Sequence, residues 1–102
     1  MYMDTEPLEE FVRRLPNLSG VYLMKDAADN IIYIGKAIAL KKRVGQYFRK
    51  STHHTPKNKV LVDNIKSIEY IVTGSDVEAL ILESNLIKQH HLNEFIVQFV
   101  AS

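Results

Sequence analysis

The groups in this chain that could do chemistry are a glutamate set among apolar residues, a long stretch of cations, and tyrosines interleaved with them. Glu83 has Ala79, Leu80, Leu86 and Ile87 three and four residues away, the positions that adjoin it on a helix surface. Ala79 to Leu82 is itself an apolar run, so this helix is expected to be buried on most sides with the carboxylate in its midst. A buried carboxylate must be paired, protonated or bound to a metal. Two readings stand side by side. One is a structural ion pair with a base such as Arg43 or Lys88. The other is a single hard oxygen ligand for a cation. Magnesium accepts such a site because it keeps several waters and lets substrate phosphates complete its shell. On Glu83 alone the ion pair is the commoner outcome.

The net charge of +1 hides an asymmetry. Asp4, Glu6, Glu9 and Glu10 make the start acidic, whereas Lys36, Lys41, Lys42, Arg43, Arg49, Lys50, Lys57 and Lys59 follow one another with no Asp or Glu between them. A single-sign block suits a polyanion, of which a phosphate backbone is the commonest, and equally suits a solvated helix face. Tyr22 and Tyr33 read individually as strand aromatics, Tyr47 as core, and Lys36 as a surface lysine. There is no cysteine, which removes disulfides and thiolate metal sites and fits a cytoplasmic location. The histidines come as adjacent pairs, His53–His54 and His90–His91, and neighbours point in different directions, a poor arrangement for ligands.

The elements that must position these groups are legible along the chain. A length of 102 residues, with 46% hydrophobic and 25% charged, suits one globular domain spanning the whole chain. No apolar run nears the ~20 residues of a membrane span. Pro7 to Arg14 reads as a short amphipathic helix ended by Pro16. Gly20 to Lys25 and Ile31 to Gly35 read as strands joined by the turn-forming Asp26-Ala27-Ala28-Asp29-Asn30, hence an antiparallel hairpin. Leu40 to Arg49 is a helix with Leu40, Val44, Tyr47 and Phe48 on its buried face, and Arg43 shares a side with Tyr47. Ser51 to Thr55 is a polar loop, and Pro56 opens a helix to about Ile65. Ser67 to Thr73 is a third strand, with Ile68, Tyr70 and Val72 on one face. Ser75 and Glu78 form a capping-box pattern at the head of a helix to about Gln89. The tail from Phe95 to Ala101 is apolar and β-prone. The class is α/β: a small three-stranded, mostly antiparallel sheet with flanking helices.

Gly20-Val21-Tyr22 and Tyr33-Ile34-Gly35, in this order on two paired strands, resemble the signature of the GIY-YIG nuclease family. Lys36 follows the second triplet, Arg43 and Tyr47 lie on the next helix, and Glu83 lies on the last long helix, where the family places its metal-binding glutamate. The stretches 33–48 and 78–88 are similar to the branch that works in bacterial nucleotide excision repair. The resemblance covers about residues 15–91 and reverses the balance on Glu83. It has one departure. That branch usually continues with a proline-containing segment ending in Tyr-Asn, whereas this chain reads His91-Leu92-Asn93-Glu94-Phe95, with Phe95 at the asparagine position.

The resemblance implies hydrolysis of a phosphodiester bond in damaged double-stranded DNA, on the 3′ side of a lesion, with a UvrB-type damage-recognition partner. It implies one Mg²⁺ (or Mn²⁺) ion held by Glu83, and water activation by Tyr22. A free phenol has a pKa of ~10, so the neighbouring charges of Lys36 and Arg43 are expected to lower it. Arg43 could instead clamp a phosphate oxygen, with Tyr33 and Tyr47 orienting water or phosphate. Lys36, Lys41, Lys42, Arg43, Arg49 and Lys50 are the expected DNA contacts. Two alternatives remain: a DNA-binding module without catalysis, and a nuclease of another branch of the family.

Overall fold

A computed structural model describes residues 7–49 and 56–90. Its elements are α1 (Leu8–Arg13), β1 (Gly20–Lys25), β2 (Ile31–Ala37), α2 (Leu40–Tyr47), α3 (Pro56–Asn64), β3 (Ser67–Val72) and α4 (Asp76–Gln89). The strands form one sheet in the order β2-β1-β3, and both pairings are antiparallel. The expected sheet with flanking helices is therefore present. β2 runs on past Gly35 to Ala37, while α2 stops at Tyr47, short of Arg49. The tail expected to be β-prone lies outside the described residues.

The hairpin is set by its turn. Asp26 Oδ1 accepts from the backbone N–H of Ala28 at 3.0 Å and of Asn30 at 2.9 Å. Asp29 takes the left-handed conformation, φ 66°, which Asp tolerates better than most residues.

Strand alternation divides the core in two. On one face Tyr22, Met24 and Tyr33 pack with Leu40, Val44 and Tyr47 of α2 and with Val12, Leu61 and Ile65 from α1, α3 and its C-terminal end. On the other face Val21, Leu23 and Ile34 pack with Ala79 of α4. Burying each large apolar side chain of these clusters contributes about 1.5–3 kcal/mol.

The helices are placed by their ends. α4 begins as its sequence predicts: Ser75 Oγ accepts from Glu78 N at 3.2 Å, and the Glu78 carboxylate accepts from Gly74 N at 2.6 Å. α2 has no side-chain cap of its own at Ala39. Its first N–H groups are met from outside the helix. Leu40 N donates to Leu18 O at 2.9 Å, Lys41 N to Pro16 O at 3.3 Å, and Lys42 N to Asn17 Oδ1 at 3.4 Å.

One expectation is corrected. α4 is not buried on most sides: Ala79 is its one buried residue, whereas Val77, Leu80 and Ile81 are 66%, 51% and 55% exposed. The helix rests on β1 and β2 through a narrow stripe formed by Ala79, Leu82, Leu86 and Ile87. β3 is an edge strand with Ile68 alone buried, so Tyr70 and Val72 do not share its burial.

Gly20 opens the central strand, opposite Ala37 on one side and Val72 on the other. A Cβ there would collide with the Ile71 carbonyl oxygen and come within 2.7 Å of Leu40 Cδ1. Backbone cannot swing aside as a side chain can. Gly20→Ala is therefore expected to lower stability by about 1–3 kcal/mol, read as a drop in the thermal unfolding midpoint; an unchanged midpoint would contradict this packing.

Candidate active site

The sequence-predicted residues come together as two groups on opposite faces of the sheet. Tyr22, Tyr33 and Tyr47 form a triangle on the α2 face. Their ring centroids are 5.9 Å apart for Tyr22–Tyr33 and 6.2 Å for each of the other pairs. The Tyr22 and Tyr47 hydroxyls are 3.2 Å apart, and either can donate. Arg43 stands over the Tyr47 ring with Cζ 5.6 Å from its centroid, the disposition its four-residue spacing predicts.

Gly35 is the floor of this triangle. It pairs directly with Tyr22 across the hairpin. A Cβ on it would lie 2.5 Å from Tyr22 Cζ and Oη and 2.8 Å from Tyr33 Cε2. The glycine thus makes room for the phenol ends rather than for a ligand's backbone approach.

The tyrosines are 1%, 7% and 8% exposed in chain order, and this decides their chemistry. Burial pushes the Tyr22 phenol far above its usual range, with Tyr47 and Tyr33 adding to the rise and Arg43 opposing it least strongly. Tyr33 is raised in the same way, again chiefly by burial. The expected lowering of Tyr22 by Lys36 and Arg43 is thus overturned, because desolvation of a phenolate outweighs one half-exposed guanidinium. Tyr22 is a neutral phenol at neutral pH.

Lys36 falls one residue after Gly35 and so faces the other way, in phase with Ile34 and toward α4. There it acts on Glu83. Burial of the Glu83 carboxyl raises its pKa above the ordinary carboxylate value, and the Lys36 charge pulls it back. Among the described residues Glu83 makes no hydrogen bond or salt bridge, so the structural ion pair with Arg43 or Lys88 is absent. No cluster of three or more His, Asp or Glu that could hold a metal exists among the described residues. A half-buried carboxylate with no hydrogen bond or salt bridge among the described residues, its charge offset only in part by Lys36, fits a hard cation that keeps most of its own waters.

Where β2 leaves the sheet there is an open groove of about 480 Å³ that takes Lys36 from one group and Arg43 from the other. Lys36, Ala37, Ile38, Ala39, Lys42, Arg43 and Gln46 line it, with no acidic residue among them. Three expected DNA contacts, Lys36, Lys42 and Arg43, thus share one groove. Lys41 is exposed on α2 but does not line it. Arg49 sits apart, in a pocket with Glu9, Arg13 and Phe48. Lys50, His53, His54, His91, Asn93 and Phe95 lie outside the described residues. Sequence reading missed Ile38 and Gln46. Gln46 is three residues beyond Arg43, which could have signalled it; nothing marks Ile38.

A three-stranded antiparallel sheet carrying paired tyrosine triplets, with an arginine and a glutamate on the helices beside it, is the architecture of the GIY-YIG nucleases. The chain belongs to the UvrC-like GIY-YIG domain family, whose profile matches residues 18–93. It is 58% identical over 83 residues to the UvrABC system protein C of Clostridioides difficile (81% of this chain, 14% of the relative), and 57% identical over 79 residues to that of Methanococcoides burtonii (78% and 13%). The chain therefore spans about one seventh of the curated relatives it matches. Among solved structures it is similar to the GIY-YIG N-terminal endonuclease domain of UvrC from Thermotoga maritima bound to its catalytic divalent cation, magnesium. The TM-score is 0.72 at 34% identity, over 87% of this chain and 94% of that one. A point mutant of the same domain, also bound to the cation, matches with TM-score 0.72 at 32% identity, over 87% and 93%.

The raised Glu83 pKa has a consequence for stability. A carboxyl that holds its proton more tightly when folded costs stability once it ionises. That cost is absent below the ordinary carboxylate range and develops as pH rises through the folded value. Glu83→Gln should therefore unfold about 1–3 °C above the parent at neutral pH, after discounting for solvent screening. The difference should close as pH falls below the carboxylate range. A variant less stable than the parent at neutral pH would show that Glu83 is favourably paired.

Proposed function

We propose that this chain is a divalent-metal-dependent endodeoxyribonuclease domain that hydrolyses one phosphodiester bond in damaged duplex DNA. We propose further that it makes the 3′ incision of nucleotide excision repair, in the cytoplasm, as a single domain with its core at about residues 15–91. The observation that carries this reading is the Glu83 carboxylate, without a hydrogen bond or salt bridge among the described residues and within the field of Lys36, which with Lys42 and Arg43 lines a groove free of acidic residues. The likeness to UvrABC system protein C and to the magnesium-bound endonuclease domain supports it.

Glu83 would hold one Mg²⁺ (or Mn²⁺). When bound, such an ion polarises a phosphate and stabilises the leaving oxygen. The rest falls to the chain's own residues. Lys36, Lys42 and Arg43 bind phosphate oxygens in the groove, with Arg43 supplying a rigid fork of donors. Tyr22, protonated at neutral pH, offers its oxygen as acceptor to the attacking water. It stays a neutral phenol that can donate its own O–H to the Tyr47 hydroxyl, 3.2 Å away, so it orients the water, whose proton leaves to bulk solvent. Tyr33 packs against the Tyr22 ring and holds its orientation. Lys41, Arg49 and Lys50 add charge along the DNA path.

A damage-recognition partner of the UvrB type would deliver the DNA, through regions beyond this chain. Phe95, at the position where the family has asparagine, favours a second reading: a domain that binds DNA through the same groove without cutting it.

With a UvrB-type partner and lesion-bearing duplex, Glu83→Gln is expected to reduce metal-dependent incision at least ~10³-fold while leaving salt-sensitive DNA binding in place. The parent should leave 3′-hydroxyl and 5′-phosphate ends at a defined position. Cutting by Glu83→Gln at the parent's rate would refute the assignment, and binding without cutting by the parent would establish the second reading.

A further inference from the structure

The four residues that lead into β1, Pro16–Ser19, touch both helices of the site. Toward α2 they supply the acceptors for its first three N–H groups. Toward α4 they supply Ser19. Its Oγ lies 2.5 Å from Asp76 Oδ1 and 3.2 Å from the Ile38 carbonyl oxygen. The Ser19 carbonyl also accepts from Thr73 N at 2.9 Å, at the junction of β3 and α4. Asp76 is the first residue of α4, and Ile38 lines the basic groove.

A serine hydroxyl has one proton to give. The nearer and charged acceptor is the carboxylate, so the Asp76 bond dominates. Asp76 is not needed to start the helix, because Ser75 and Glu78 already cap it. Its bond reaches across 57 residues of chain instead. Asp76 and Glu83 are seven residues apart, about two helical turns, and so lie along the same side of α4. Among the described residues this helix packs on the sheet through a narrow apolar stripe, with Ala79 its one fully buried residue. A bond at the first residue of a helix packed through so narrow a stripe bears on the placement of a carboxylate two turns on.

We propose that Ser19 is a positioning residue: its hydrogen bond to Asp76, made beside the groove residue Ile38, fixes how α4 lies on the sheet and so where Glu83 stands relative to the basic groove. The inference rests on the reading of Glu83 as the metal ligand. Asn17, which reaches only α2, serves as the contrast.

The test is Mn²⁺ binding by this chain, followed by the loss of the free-ion paramagnetic resonance signal, with thermal unfolding measured alongside. Ser19→Ala is expected to weaken Mn²⁺ binding on the order of tenfold, the low end for removing an outer-shell partner. Ser19→Thr, which keeps the hydroxyl, should restore it, and Asn17→Ala should leave it unchanged. Mn²⁺ binding by Ser19→Ala equal to the parent's, or a loss that Ser19→Thr fails to restore, overturns the proposal. If Glu83→Gln binds Mn²⁺ as the parent does, the metal reading falls instead. The positioning claim is then decided by the nuclear Overhauser contacts of Ala79 with the Val21, Leu23 and Ile34 side chains of its cluster. Their weakening in Ser19→Ala upholds it, and identical contacts overturn it.

Discussion

The two-residue period of a β-strand is the constraint on which this site depends. At the end of β2, Gly35 faces the tyrosines and Lys36, one residue on, faces α4. A slip of one residue would exchange these roles. It would put a lysine under the Tyr22 ring, where even a methyl group has no room, and leave Glu83 facing a glycine. Register is held against that slip by Tyr22 opposite Gly35, by Ile34 under Ala79, and by the Asp26 turn. The groove opens where β2 leaves the sheet, and Lys36 from one face and Arg43 from the other both line it.

The electrostatics of the two faces differ in kind. On the α2 face, burial keeps Tyr22 and Tyr33 neutral, so that face contributes shape, hydroxyls and one guanidinium. On the α4 face, partial burial leaves a carboxylate discontented, and the Lys36 charge offsets only part of that cost. A cation with its own waters would neutralise Glu83 without demanding further protein ligands. The phenols need no such partner, because they satisfy one another.

Much of this was legible in the residues. The hairpin, its turn, the Ser75–Glu78 cap and the buried stripe of Leu40, Val44 and Tyr47 follow from short-range patterns, and those patterns survive folding. The side of α4 that meets the sheet did not follow. Val77, Leu80 and Ile81 are as apolar as Ala79, Leu82 and Leu86, and which of them meet the sheet is settled by packing between segments distant in the chain. The neutrality of Tyr22 was equally hidden. Nearby cations can be counted in a sequence, whereas desolvation depends on three rings closing over one another. The non-local cap on α2 and the Ser19–Asp76 bond join segments distant in the chain, and no local pattern announces them.

The central claim is that Glu83, within the field of Lys36, is the carboxylate that receives the cation. Its most direct test is a crystal of this chain soaked in Mn²⁺ and measured for anomalous scattering, since manganese occupies oxygen sites of the magnesium kind. The account predicts one strong peak at roughly 2.0–2.1 Å from a Glu83 carboxylate oxygen, on the side that opens to the groove past Lys36. A peak elsewhere with Glu83 bare, or Glu83 engaged by a basic side chain with no peak beside it, would contradict the account.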